Sequence, residues 1–249
     1  MREGGRAVNV RRAWRYVAVA VVLLGGVVGS QYLLPPFFAK QLERALARSS
    51  GAPKLVSVRL RALPAVGLIA GYVPALSIDI RGAQFGDMRV AAFLFDGHGL
   101  FVDAFRLWRG EGFALRHAER FNVTLALREA DLNAYLWEKI DPDRQFRVQV
   151  DKEGIHLAGR VSVLGFGVDV RVAGRLVVRD GTKIAFEPDD VSLGQTRLPA
   201  FLQRVLADRW GLLIDLSRAP VPLEIADVRT DKGMLFVYAH KPDGREAAG

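Results

Sequence analysis

The chain of 249 residues contains no cysteine and few histidines or methionines. Without cysteine it forms neither disulfides nor thiolate metal sites. The four histidines lie in separate segments with no partner three or four residues away, which argues against a zinc site or a catalytic triad. They are His98, His117, His156 and His240. The spacings of a nucleophile elbow, phosphate loop, dinucleotide fingerprint and calcium loop are missing too. The sequence therefore predicts no enzyme, no metal and no cofactor.

Charge is missing from Tyr16 to Ala39, directly after a basic stub. The stub carries five arginines: Arg2, Arg6, Arg11, Arg12 and Arg15. As a helix, Tyr16 to Leu34 would span about 28 Å at ~1.5 Å per residue, which is enough to cross a bilayer. Positive flanks stay in the cytoplasm, so the chain after Pro36 is predicted to be extracytoplasmic.

The apolar run is open to two interpretations, an uncleaved anchor and a cleaved signal. Val28-Gly29-Ser30 has the small-residue pattern that a signal peptidase accepts, which would give a secreted protein. The run is longer than the usual signal core of about 7–15 residues, which favours a single-pass anchor in the cell membrane. The predicted organisation is a cytoplasmic stub at 1–15, the anchor or signal at 16–36 and an extracytoplasmic domain at 37–245.

The net charge of +8 gives little support for a nucleic-acid partner. Residues 1–15 supply five arginines against one acid, which accounts for half of the excess. The remainder is mildly basic, as suits a protein beside an anionic membrane surface.

Alternation of apolar and polar residues predicts many strands. They are expected at 54–62, 76–81, 88–95, 100–108, 121–126, 146–150, 155–163, 168–178, 183–186, 223–228 and 234–239. Turns are expected at 96–99, 151–154, 180–181 and 230–233. Gly159 and Gly174 fall inside strand patterns, where they predict bends or bulges.

Apolar residues at helical spacing predict helices at 38–46, 128–140 and 198–206. The first would either dock on the domain or lie in the membrane interface. The other two carry broad apolar stripes suited to a sheet. The expected fold class is α+β, with long antiparallel strands and a few helices on one face, preceded by the transmembrane or signal helix.

The segment from Leu63 to Pro74 is uncharged and contains two prolines and two glycines. Such a loop must be covered by the domain, line a cavity or touch a membrane. If it is a lipid portal, its side chains should be partly exposed at a groove mouth; if not, they belong to the core. The candidate lipid-binding residues are Leu63, Val66, Leu68, Ile69, Tyr72, Val73, Phe201 and Val205. The candidate head-group residues are Arg59, Arg61 and Arg89.

From Phe37 to His240 the chain resembles the LmeA-like phospholipid-binding family of bacterial envelope proteins. The resemblance rests on the N-terminal anchor with its amphipathic segment, Leu63 to Pro74 between two strands, and the glycine-containing hairpin from Gly154 to Phe186. It also rests on Asp131-Leu132-Asn133-Ala134-Tyr135-Leu136, Leu198-Pro199-Ala200-Phe201-Leu202 and Asp231-Lys232-Gly233-Met234-Leu235. It implies a long curved antiparallel sheet wrapping amphipathic helices around an apolar interior. It also implies phospholipid binding and a part in envelope lipid or glycolipid homeostasis, without an enzyme reaction.

Two functions of different classes remain after these observations. The first is a membrane-anchored extracytoplasmic protein that binds phospholipid in an apolar groove between sheet and helices. The alternative is a structural or protein-interaction module of the envelope, whose sheet fills its own core. An open apolar groove of roughly 300 Å³ or more would favour the first. The sequence identifies no protein partner.

Overall fold

The computed structural model describes residues 10–85, 87–109, 114–163, 166–194, 196–197, 214–215 and 223–242. The first element is a 40-residue helix, α1 (Val10–Ser49), which continues through Pro35 and Pro36. Its C-terminal part buries Phe38 and Leu42 almost completely against a sheet. The helix expected at 38–46 is therefore the end of α1, and it docks on the domain. No helix in the described part of the chain is both long enough and apolar enough to cross a membrane.

The remaining elements are strands, a 3₁₀ helix (Ala65–Ala70) and two short helices, α2 (Ala104–Trp108) and α3 (Glu129–Lys139). The first four strands are β1 (Leu55–Arg61), β2 (Tyr72–Phe85), β3 (Met88–Val102) and β4 (Leu115–Arg128). The next four are β5 (Phe146–Val150), β6 (Ile155–Val163), β7 (Phe166–Arg179) and β8 (Lys183–Leu193). The last four are β9 (Thr196–Arg197), β10 (Ile214–Asp215), β11 (Glu224–Asp231) and β12 (Met234–His240).

The described strands form two antiparallel sheets, whereas the resemblance implied one long sheet. The first sheet has the order β1-β2-β3-β4-β12-β11, and the second has β10-β8-β7-β6-β5 with β9 beside β8. The chain leaves the first sheet after β4, builds the second and returns through β11 and β12. The Ile225 amide donates to the Gly181 carbonyl at 2.6 Å, so the last strands also join the two sheets. The expected α+β class with antiparallel strands is confirmed.

The inner face of the first sheet is covered by two different elements. Over one half, α1 packs Phe38 and Leu42 on strand residues such as Ile78, Phe95 and Phe121. Over the other half, Leu127 and Leu235 share a core with the second sheet and α3. The alternation that predicted the strands also predicts these inward-facing residues, because successive side chains point to opposite faces.

The edge strand β5 is covered by side chains of α3 and the residue shortly after it. Asn133 accepts from the Val148 amide at 2.8 Å and donates to its carbonyl at 2.7 Å. Glu129 accepts from the Val150 amide at 3.0 Å, and Trp137 donates to the Phe146 carbonyl at 2.7 Å. Asp141 accepts from the Phe146 amide at 2.6 Å. The spacing of four residues puts these groups on one helix face, where they satisfy the exposed edge of the strand.

Three local predictions are wrong. No turn occurs at 96–99, since β3 runs through these residues in register with β2 and β4. The strand expected at 100–108 ends at Val102, and α2 follows. Gly159 is no bulge: its pairing is regular, and a Cβ there would collide with the cross-strand Phe146 ring. Gly174 does lie at a register shift, as expected. The helix predicted at 198–206 lies outside the described residues.

Candidate lipid-contacting end

The 3₁₀ helix divides the segment from Leu63 to Pro74 into a buried and an exposed face. Leu68 and Ala65 have no exposed surface, whereas Leu63 is 81% and Ile69 56% exposed. A 3₁₀ helix has three residues per turn, so residues three apart align. Ala65 and Leu68 accordingly share the inner side, while Val66 and Ile69 share the outer side. The segment is thus partly core and partly an exposed apolar surface.

Backbone and side-chain contacts hold the 3₁₀ helix in place. It ends at Gly71, whose positive φ of 84° and close approach to the Val102 carbonyl both require glycine. The Val102 amide donates to the Gly71 carbonyl at 2.8 Å. On the other side, the Ala65 amide donates to Oε1 of Gln31 in α1 at 3.0 Å. The exposed face is therefore fixed to the middle of α1.

Helix α1 carries further exposed apolar side chains near this contact. Tyr32 is 78% and Leu33 72% exposed, and both directly follow Gln31. Val28 and Phe37, one turn away on either side, are about half exposed. These four residues lie within the charge-free run from Tyr16 to Ala39. The same run contains Gln31, which accepts the hydrogen bond from the 3₁₀ helix.

Helix α2 and an aromatic row complete this surface. The Phe101 ring lies 5.0 Å from the Tyr72 ring and 6.2 Å from the His117 ring, across β2, β3 and β4. Phe105 in α2 is 63% exposed, and the Arg109 guanidinium lies 4.0 Å from its ring centre. Helix α2 contacts both α1 and the 3₁₀ helix. We call this surface the apolar end; it consists of Val28, Tyr32, Leu33, Phe37, Leu63, Val66, Ile69, Phe101 and Phe105.

Charged groups border the apolar end. Asp103 accepts from the Arg116 guanidinium at 2.6 Å and from the Arg106 amide at 3.1 Å. These two hydrogen bonds, the Arg116 bond first, lower the pKa of the Asp103 carboxyl. Asp103 thereby orients α2 while it remains ionised. Arg59 and Arg61 are exposed on β1, which leads into the segment.

A sequence model of the LmeA-like phospholipid-binding family matches residues 33–240. The chain belongs to this family. The match begins within α1 and includes both sheets and the 3₁₀ segment. No curated protein and no solved structure matches the chain. Lipid binding, rather than a reaction, defines the family, so phospholipid binding is the function that the comparison supports.

The predicted lipid-binding residues of this LmeA-like chain separate into four groups. Leu63, Val66 and Ile69 are exposed, as a portal requires. Leu68 and Val73 are buried, as the alternative of an ordinary core predicts for these two. Tyr72 is partly exposed within the aromatic row. Phe201 and Val205 lie outside the described residues. A lipid-binding role stays a prediction for all of them.

The three predicted head-group arginines do not form one cluster. Arg59 pairs with Ser77, and Arg61 with Ala75, close to the start of β2. Arg89 instead pairs with Gln84 at the far tip of the β2–β3 hairpin. Arg89 is separated from the apolar end by most of the length of β2, and a head-group role stays a prediction for all three arginines.

The interface between α1 and the first sheet holds tightly buried side chains. Phe38, Leu42 and Leu68 occupy it with at most 2% exposure. A surface cavity of about 290 Å³ is lined by none of these side chains, whereas a second one of about 470 Å³ includes Phe121 of the interface core in its lining. None of the residues of the apolar end lines either cavity. The helix predicted opposite β7, at 198–206, is outside the described residues, so the groove predicted there stays a prediction.

Sequence reasoning missed part of the apolar end. Phe101 and Phe105 were assigned to the strand expected at 100–108, and Tyr32, Leu33 and Phe37 were assigned to the anchor and the helix after it. A signal was present for Phe105, since it breaks the strand alternation after Val102. Nothing local indicates that α1 and α2 meet at the 3₁₀ helix, because that meeting is a tertiary contact.

Proposed function

We propose that this protein is an extracytoplasmic, membrane-anchored phospholipid-binding protein that contacts lipid through the apolar end. Family membership supports phospholipid as the ligand. The basic stub and charge-free run support an anchor with the N-terminus in the cytoplasm. The anchor is proposed from sequence, and a cleaved signal with a secreted domain remains its alternative.

The observation that carries the proposal is the convergence of exposed apolar side chains from three separate elements. Isolated exposed apolar residues are ordinary, but a patch built from α1, the 3₁₀ helix and α2 indicates a binding surface. Aromatic residues bordered by arginines are typical of groups at the level of lipid head groups. The hydrogen bond between Gln31 and Ala65 fixes this patch beside the charge-free part of α1.

The energetics favour an acyl chain as the occupant. Burial of hydrocarbon contributes about 0.8 kcal/mol per methylene, so contact with a few methylenes gives useful affinity without polar recognition. Phospholipid supplies such chains, and exposed Arg59 and Arg61 are suited to a head-group phosphate. We therefore place the acyl chains at Leu63, Val66 and Ile69, and the head group towards β1.

The biological role that follows is a part in envelope lipid or glycolipid homeostasis. A lipid-binding domain held close to a bilayer can accept or present lipid molecules there. The competing function is an envelope interaction module whose apolar end docks on a protein. The two functions differ in whether the purified protein retains lipid.

Lipid extraction and mass spectrometry of the purified full chain provide the first test. We expect phospholipid to co-purify and the protein to bind phospholipid vesicles. A protein that carries no lipid and ignores vesicles would contradict the proposal and favour the interaction module.

A charge at the apolar end provides the second test. Ile69→Asp places a carboxylate where hydrocarbon is proposed to lie, and we expect vesicle binding to fall at least about tenfold. Leu55→Asp is the matched control, since Leu55 is 51% exposed but begins β1, at the opposite end of that strand. Equal vesicle binding by the two folded variants would refute a role for the apolar end.

A further inference from the structure

The first sheet splits at the tip of the β2–β3 hairpin, on the face opposite α1. The β3–β4 ladder extends from Val102–Leu115 to Ala92–Ala126 and ends there, although both strands continue. Gly82 in β2, with a positive φ of 64°, lies beside this point. Where the strands separate, a cavity of about 290 Å³ opens between the hairpin tip and the β4–β12 pair.

The floor of this cleft is apolar because small residues adjoin across the strands. Ala92 pairs with Ala126, and Ala126 pairs with Phe236. The two alanines are less than 10% exposed. Leu94, Phe236 and Met234 border the floor, and Thr124 adds a hydroxyl.

The rim of the cleft is cationic. Lys54, Arg81 and Arg128 line it. Arg81 is paired with the Asp79 carboxylate through two hydrogen bonds of 2.5 and 2.9 Å. Within the part of the chain that the structure describes, neither Lys54 nor Arg128 has a carboxylate partner.

Lys54 is positioned over the cleft by the glycine beneath it. The nearest atoms to a Cβ built on Gly82 would be Cγ and Cδ of Lys54, at 3.0 and 3.2 Å. The lysine stem thus crosses the backbone at Gly82 and leaves its ammonium at the rim. Arg128 approaches from the opposite side, since it lies on β4 and pairs with Met234.

We propose that this cleft binds a single-chain amphiphile with an anionic head, a carboxylate or a phosphate. The head is held between Lys54 and Arg128, which have no carboxylate partner among the described residues, and the chain lies on Ala92, Ala126 and Phe236. The volume of about 290 Å³ accommodates one short chain and leaves no room for a two-chain phospholipid. Two cations flanking an apolar floor match the two parts of such a molecule.

The cleft is separate from the apolar end. Tyr72 and Arg81 are nine residues apart along β2, which at ~3.3 Å per residue is about 30 Å. A ligand in the cleft is therefore not part of a bilayer that contacts the apolar end. Each site can fail its test without affecting the other.

Methionine methyl groups allow the test on the full chain. The sequence has three methionines, Met1, Met88 and Met234, and of the two that the structure describes, Met234 lines the cleft and Met88 does not. With ¹³C-methyl methionine in phosphatidylcholine nanodiscs, we expect hexyl phosphate or hexanoate to shift the Met234 signal saturably. Comparison of these two probes identifies the preferred head. Hexanol and inorganic phosphate should each bind at least about tenfold more weakly, because each lacks one half of the recognised chemistry.

Removal of the positive charges at the rim tests whether Lys54 and Arg128 hold the anionic head. Lys54→Gln combined with Arg128→Gln should weaken binding about tenfold or more, and raised salt should weaken wild-type binding. Lys152→Gln removes an exposed lysine in the β5–β6 turn and should change nothing. Hexanol binding as tight as that of the anions, unchanged affinity in the folded double variant, or a Met234 signal that never saturates would overturn the proposal.

Discussion

The two halves of the first sheet's inner face differ in whether the groups at their boundaries are covered or left exposed. Under α1, the core ends in the apolar end, where large side chains from three elements remain exposed. Under the second sheet, the core ends at β5, whose free edge is covered by α3. The first half leaves apolar surface uncovered, and the second satisfies even its backbone groups. This difference is why we propose the functional surface in the helix-covered half.

This difference arises because a helix and a second sheet cover a core in different ways. A helix covers a sheet with side chains only, so surface remains open where α1 leaves the domain. A second sheet brings an edge strand, whose unpaired amides and carbonyls invite pairing with other chains unless they are satisfied. Glu129, Asn133 and Trp137 satisfy them.

The largest expected effect distinguishes the two faces of the 3₁₀ helix. Leu68→Asp buries an unpaired carboxylate at a position with no exposed surface, so we expect a loss of more than about 4 kcal/mol of unfolding free energy. Ile69→Asp should stay within about 0.5 kcal/mol of wild type, because that side chain is exposed. Chemical denaturation of both variants measures the difference. Equal destabilisation would mean that the segment has no distinct faces.

A smaller effect is expected where α3 covers β5. Asn133→Ala leaves the Val148 amide and carbonyl without their partner, and we expect a cost of about 1–3 kcal/mol. Urea unfolding provides the measurement. Glu138→Ala, an exposed change in the same helix, serves as the control and should cost less than about 0.5 kcal/mol. A neutral Asn133→Ala would show that the edge does not need this residue.

The smallest expected effect is on the stability of the protein at acid pH. The Arg116 hydrogen bond lowers the pKa of Asp103, so its folded value lies below the unfolded value of about 3.9. The associated stability is therefore fully present above about pH 4 and is lost as the pH falls through the folded value. Unfolding measured at pH 5 and pH 3 should show a smaller acid loss in Arg116→Gln than in wild type.

The Arg160–Asp169 pair in the second sheet serves as the comparison for the Arg116–Asp103 pair. Arg160 lowers the pKa of Asp169 in the same way, mainly through their hydrogen bond. Arg160→Gln should reduce the acid sensitivity similarly and leave lipid binding unchanged. Arg116→Gln should also alter vesicle binding, because Asp103 orients α2 and its exposed Phe105. If both variants bind vesicles like wild type, α2 has no part in lipid contact.

Sequence periodicity predicted most of the fold correctly. Alternation located β1, β5, β6, β11 and β12 closely, and helical spacing located α3. The errors arose where a local signal and a tertiary role diverge. Gly97 and Gly99 look like turn residues, yet β2 and β4 pair on both sides of β3 and keep it extended. Gly159 looks like a bulge, yet it makes room for the Phe146 ring.

The candidate site was predicted in part. An uncharged segment with two prolines and two glycines is unusual enough in the sequence to mark Leu63 to Pro74 as special. Its division into faces was not predictable, since a 3₁₀ helix leaves no clear periodic signal over six residues. Arg89 was grouped with Arg59 and Arg61 by charge alone, and the length of β2 separates them.

The sequence by itself determined the elements of this protein, the family and the apolar segment, because those depend on local periodicity and composition. Tertiary structure decided which apolar residues became core and which became surface. Leu68 and Ile69 are neighbours of similar hydrophobicity, and only the position of α1 and β2 makes one buried and the other exposed. Burial depends on what covers a residue, and the covering elements here come from distant parts of the chain.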